Sequence, residues 1–295
     1  MTAVYKRELR SYFSSMMGYV YLFIVLLIIG LMFMVTNLMS SGSQGSYPYF
    51  AGTLSSSLIV LVFAVPILTM RSIAEERRSK TDQMLLTYPV TVTSVILGKY
   101  FAMVTVYALP LIISCLGPLV ISWESAGGGS LAIDYAAILA FLCIGCLFVS
   151  IGMFISSLTE SQIIAAVASM GAFLLLFFWS GLVSYIPETA SASFIGFLLI
   201  LALVLFALYS LTRSNLITAV VAVIGGGGLL ACYLLVPSLL SGLLTRFLGL
   251  FSVTDALGNF TSYYVFDVRG LLMYLSLSAL FVFLTIQSVQ KRRWS

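Results

Sequence analysis

MRSIAEERRSKTDQMLLTYPV, residues 70–90, is a charged island between two apolar runs. Of the chain's 14 basic and 10 acidic residues, seven fall in these 21 positions: Arg71, Glu75, Glu76, Arg77, Arg78, Lys80 and Asp82. Met84-Leu85-Leu86 follows the charges directly, so the stretch is amphipathic rather than merely soluble. The runs beside it, about 53–70 and 95–122, are long enough to cross a ~30 Å hydrocarbon core, which takes roughly 20 residues. The island therefore reads as a loop on one side of a membrane, carrying a short helix that can touch a soluble partner.

The whole chain supports that reading. Of its 295 residues 61% are apolar and 8% charged, whereas soluble domains run at roughly 45–50% and about 25%. Too little polar surface exists to cover a water-soluble globule. An all-α polytopic membrane protein is predicted, its backbone satisfied within helices. Eight apolar segments serve as spans: about 17–38, 53–70, 95–122, 135–157, 162–183, 194–211, 215–236 and 270–289. Placing both termini inside puts Lys6, Arg7, Arg10, Arg71, Arg77, Arg78, Lys80, Lys99, Arg213, Lys291, Arg292 and Arg293 in the cytoplasm and leaves only Arg246 and Arg269 outside. The positive-inside rule selects this orientation.

Residues 1–16 read as an interfacial helix. Over 4–16, Tyr5, Leu9, Tyr12, Phe13 and Met16 share one face and Lys6, Arg7, Arg10 and Ser14 the other, which sets a basic side toward lipid headgroups or a partner. Basic residues precede the first apolar run without a small-residue cleavage site, so this segment is expected to be retained. Residues 237–268 hold no clean apolar core, and short helices dipping into or lying on the outer leaflet are expected there. Pro110 and Pro118 predict a kink in the third run. Gly225 to Gly228 in the seventh is either a close helix contact or an interruption, with packing favoured.

Candidate chemistry is scarce. There is no histidine, which removes a Ser-His-Asp triad and a His-based zinc site. No GxxxxGK[ST] phosphate loop is present, so the chain has no such route to ATP. Cys115, Cys143, Cys146 and Cys232 lie within apolar runs, where small membrane-embedded residues are expected rather than disulfides. No Asp, Glu, Lys or Arg falls near the middle of a span, which disfavours an ion-coupled carrier. An intramembrane enzyme lacks the side chains it would need. The energy is expected to enter from outside the bilayer.

Here the sequence resembles a family. Ile73-Ala74-Glu75-Glu76-Arg77-Arg78, then Thr81, Met84-Leu85-Leu86-Thr87, Pro89-Val90 and Gly98-Lys99, are similar to the coupling-helix region of ABC-2 type transporter permeases. Lys6-Arg7-Glu8-Leu9-Arg10-Ser11-Tyr12-Phe13 resembles their N-terminal elbow helix. Tyr274-Leu275-Ser276, Phe283-Leu284-Thr285 and Lys291-Arg292-Arg293-Trp294 resemble the gliding-motility (GldF-like) branch. The resemblance implies a single transmembrane domain: a six-helix core, here with two added spans (194–211 and 215–236), an elbow helix, a cytoplasmic coupling region at 71–90 and short extracellular or re-entrant helices before the last span. It also implies a non-enzymatic subunit of an exporter in a bacterial inner membrane. Its partners would be two copies of an ABC ATPase, which carry the ATP and Mg, and a second membrane subunit, identical or homologous. This chain would hold no cofactor and bind no nucleic acid. Ala74, Glu75, Glu76, Arg77, Thr81 and Leu85 would contact the ATPase, and Lys6, Arg7, Glu8 and Arg10 would mark the elbow. An ATPase-driven mechanical transmitter to an extracytoplasmic partner is the alternative. The charge-free spans suit lipids, hydrophobic peptides or drugs better than ions.

Overall fold

Without water, an apolar run of membrane length can satisfy its backbone only within a helix or a closed barrel. In the computed structural model, which describes residues 1–39, 49–79, 91–124, 130–212, 215–235 and 240–293, each such run is a helix. The elements are α1 Thr2–Ser14, α2 Met16–Phe33 with a π-helical turn Met34–Leu38, α3 Phe50–Thr69, α4 Ala74–Arg78, α5 Val92–Ser114, α6 Leu116–Glu124 and α7 Leu131–Leu158. Then follow α8 Gln162–Ser184, α9 Ala190–Thr212, α10 Asn215–Leu235, α11 Leu243–Gly249, α12 Val253–Thr261 and α13 Val268–Arg293. Among the described residues eight helical segments are long and apolar enough to cross a membrane, and no strand occurs. The protein is an all-α polytopic membrane protein, with the short helices α11 and α12 ahead of the last span.

The described chain forms two compact units, Met1–Phe177 with Val253–Ser295, and Phe178–Ser252. In the first, α7 is the central helix: Phe141, Ile144, Leu147, Phe148, Val149 and Met153 are fully buried, so it is apolar on every side. Glycines let its neighbours approach. A Cβ at Gly145 would run into the Tyr107 ring of α5, and one at Gly152 into Thr69 of α3. The Tyr107 hydroxyl donates to the Phe141 carbonyl at 2.6 Å, and the Tyr100 hydroxyl lies 2.7 Å from Ser278 Oγ of α13. These two tyrosine hydroxyls thus find partners where none would come from lipid. Phe148 and Phe173 stack at 4.7 Å, fastening the inner half of α8. Helix α12 also belongs here, with Leu257 and Phe260 buried and the Tyr274 hydroxyl bonded to the Val253 carbonyl at 2.6 Å.

The second unit contains α9, α10 and α11. Helix α10 runs without interruption through Gly225–Gly228, and of these four only Gly225 makes a close contact, against Leu201. The expected packing role therefore applies to one glycine of the run.

Several expectations are corrected. The third run is not among them: its expected kink falls at a one-residue interruption, Cys115, whose backbone stays in the helical region. Pro118 explains it, because a proline ring clashes with the carbonyl four residues back, here Ser114. Met16 does not belong to the elbow's apolar face. Helix α1 ends at Ser14, Ser15 is extended, and Met16 opens α2 at 81% exposure. Helix α7 begins at Leu131 rather than 135, which brings Asp134 into its first turn, 2% exposed. There it serves another helix: α3 has no side-chain cap of its own, and Asp134 Oδ1 accepts the Ala51 N–H at 3.1 Å. Asp134→Ala, which orphans that donor, is expected to lower stability in detergent by about 1–2 kcal/mol. Asp134→Asn, which keeps an acceptor, should lose less in the same unfolding experiment.

Candidate functional site

Helix α4 is a single five-residue turn, and its charge order suits the helix dipole, with Glu75 and Glu76 first and Arg77 and Arg78 last. It is bonded into the bundle at three points. Behind it, Ser156 Oγ near the end of α7 accepts the N–H groups of Ile73 and Ala74 at 3.3 and 3.1 Å and donates to the Met70 carbonyl at 3.3 Å. One hydroxyl thereby satisfies backbone groups that a helix start leaves open. Ala74 is fully buried against this contact. Arg77 reaches past the end of α7 to the Ser157 carbonyl at 2.9 Å and to Glu160 at 3.3 Å.

The second point is Glu76. Its Oε1 lies 2.9 Å from Lys99 Nζ and 3.4 Å from Arg7 Nη2. Lys99 sits two turns into α5 with its side chain 5% exposed. Its ammonium also approaches Glu8 Oε1 at 3.3 Å and donates to the Ser72 carbonyl at 2.8 Å. Three donor hydrogens thus meet Glu76 of the loop, Glu8 of α1 and the backbone just before α4. A buried ammonium is costly unless it is paired and hydrogen-bonded, and here it is both. The third point is Arg71, which grips Glu75 with two bonds of 2.7 Å and touches Met17 Sδ of α2 at 3.2 Å. The Arg71 guanidinium holds the Glu75 carboxyl below its ordinary range.

Helix α1 closes the cluster from the side. Its apolar face is turned to α5, with Val4 against Gly98 and the Tyr5 hydroxyl 3.1 Å from Thr105 Oγ1, and the Tyr12 hydroxyl donates to the Leu68 carbonyl at 3.0 Å. The interfacial helix expected from periodicity is therefore also a packed element of the bundle. Among the described residues no group of three or more His, Cys, Asp or Glu is placed to hold a metal ion. The cluster joins α4 and the residues beside it to α1, α2, α5 and the end of α7.

The profile of the family described as ABC-2 family transporter protein matches residues 34–194, more than half of the chain. The chain belongs to the ABC-2 transporter family. It is a membrane permease of an ABC-type transporter, and membership implies an ABC ATPase as its partner. No curated protein matches it significantly. The matched stretch includes α4, Lys99 and Glu160, so most of the charged cluster lies within the part of the permease that the family profile covers.

Of the residues expected to meet the ATPase, Glu75, Glu76 and Arg77 are bound to other parts of the permease, and Ala74 is buried. Thr81 and Leu85 lie outside the described residues. Of the elbow set, Arg7 and Glu8 join the cluster, while Lys6 and Arg10 stay on the exposed side. Sequence reasoning counted Lys99 toward topology and quoted Gly98-Lys99 within the resemblance, but did not expect it to pair with Glu8 and Glu76. It also missed Ser156, Ser157 and Glu160. A signal for the Lys99 pairing existed: a lone cation after a glycine, inside an apolar run, in a chain with few acids, two of them Glu8 and Glu76.

Proposed function

We propose that this permease is driven through α4 by a separate ABC ATPase and exports an apolar or amphipathic substrate. The observation that carries this reading is the bonding of α4. A loop that only enforced topology would need no acids, yet Arg71 reaches α2, Glu76 reaches α1 and α5, and Arg77 reaches the end of α7, with Glu75 holding Arg71 in place. A displacement of α4 is passed to α1 and α5 through Glu76 and Lys99, to the end of α7 through Arg77 and Ser156, and to α2 through Arg71. Two ATPase copies, holding ATP and Mg, and a second membrane subunit complete the transporter. It sits in a bacterial inner membrane with both termini in the cytoplasm. The closing sequence motifs favour the gliding-motility (GldF-like) branch.

Glu76→Arg tests the coupling. It sets a third cation beside Lys99 and Arg7, so the loop should detach from both. The wild-type permease should co-purify with its ATPase in mild detergent, and the variant should lower permease-dependent phosphate release at least tenfold. Normal complex formation and turnover in the variant would sink the assignment. A second reading, a mechanical transmitter to an extracytoplasmic partner, draws on α12, which is buried against its own unit and moves with it. ATP turnover without solute movement in sealed vesicles would favour the transmitter.

A further inference from the structure

We propose that the outward side of α1 binds the phosphates of anionic lipids in the adjacent leaflet, with Lys6 and Arg10 as its contacts. Helix α1 has two electrically different sides. Arg7 and Glu8 serve the cluster around Lys99. Lys6 and Arg10 lie one turn apart on the exposed side, and among the described residues neither has an ion-pair or hydrogen-bond partner. The one acid of α1, Glu8, is already bound to Lys99 and Arg7, so nothing on this helix compensates them.

Two observations set the depth of this surface. Ser15 alone separates α1 from α2, whose Met16, Tyr19 and Phe23 are 81%, 58% and 65% exposed and apolar, as lipid-facing residues are. At its other end α1 rests on α5 between Gly98 and Thr105, and between these two lies Phe101, 44% exposed. Helix α1 is thus tied to the membrane spans along its length and cannot stand off into the cytoplasm. Cations at this level, on flexible stems, reach the headgroup phosphates. An acidic face of the ATPase is the competing occupant. It is disfavoured because these two cations neighbour lipid-facing apolar surface and are not drawn into the charged loop.

Native mass spectrometry of the full chain in detergent tests this without any ATPase, so its failure would leave the transport reading untouched. The probes are phosphatidylglycerol and phosphatidylcholine with the same acyl chains. Each cation near an anionic surface is worth about fivefold in binding, so the Lys6→Gln/Arg10→Gln variant should lose roughly thirtyfold of the wild-type preference for phosphatidylglycerol. Lys6→Arg/Arg10→Lys should keep it. Both variants should unfold at the wild-type temperature in phosphatidylcholine, since the altered side chains are exposed and make no ion pair or hydrogen bond among the described residues. An unchanged preference in the Gln variant, or none in the wild type, overturns the proposal. In a separate pull-down with the ATPase present, a Gln variant that keeps its lipid preference but no longer retains the ATPase assigns the two cations to that partner and overturns the proposal as well.

Discussion

Lys99→Met is expected to destabilise the permease by about 3 kcal/mol, because removing one member of a buried ion pair leaves the other uncompensated. Here two acids are left. Glu8 and Glu76 are only 16% and 21% exposed at the side chain, and both would face the gap left by the ammonium. Their repulsion should lift α1 from the loop, visible as faster amide exchange across Leu9 to Phe13 and as a lower unfolding midpoint in detergent. A second variant separates stability from coupling. Lys99→Met with Glu8→Gln and Glu76→Gln leaves no buried charge unpaired, since Arg7, which loses both acids, is 56% exposed and open to water, and it should recover most of the lost stability. It should not recover permease-dependent phosphate release, because the loop is no longer tied to α5. A triple variant that regains both would show that the junction only holds the fold. A single variant within about 0.5 kcal/mol of wild type, the usual range for an unimportant surface change, would show that the ammonium is not pairing at all.

Gly145→Ala should be nearly as damaging. The added Cβ lands on the Tyr107 ring, which is fully buried and cannot swing away without losing its 2.6 Å bond to the Phe141 carbonyl. Overpacking a tight core costs about 1–3 kcal/mol, and the orphaned hydroxyl adds about 1–3 kcal/mol more. Gly145→Ala with Tyr107→Leu removes the ring and should recover part of the loss. The contrasting case is Gly227→Ala, where nothing lies within 4 Å of the new Cβ in a continuous helix. That change should stabilise by up to about 1 kcal/mol through helix propensity alone. Equal effects at the two glycines would mean that the close α5–α7 contact is not real.

Hydropathy made the helices legible, since an apolar run of that length has few other structures open to it. The ends of the runs were not. The third span is interrupted at Cys115, just ahead of Pro118, and a hydropathy count does not register what a proline ring does to the preceding turn. Asp134 looked like a loop residue because its charge ends the apolar run, while in the fold it caps a different helix. The loop carrying Glu75, Glu76 and Arg77 stood out as soon as charges were counted, but their partners did not. Glu8 and Lys99 are 91 positions apart and Arg77 and Glu160 are 83, so only the folded bundle brings them together. A buried lysine two turns inside a span also counts as one more inside charge under the positive-inside rule, which hides any other role.

The joint at Ser15 has a mechanical consequence. Thirteen residues of α-helix make a rigid arm about 20 Å long, joined to the first span by a single extended residue and braced there by the Phe13–Tyr19 ring contact at 5.8 Å. A tilt of that span by about 10° would swing the far tip of such an arm by about 3 Å. The tip is not idle: Val4 Cβ and the Met1 carbonyl lie 3.1 and 3.2 Å from where a side chain at Gly98 would begin. The first span is therefore joined to the third through α1 as a lever, and the bare glycine is where the lever's tip rests.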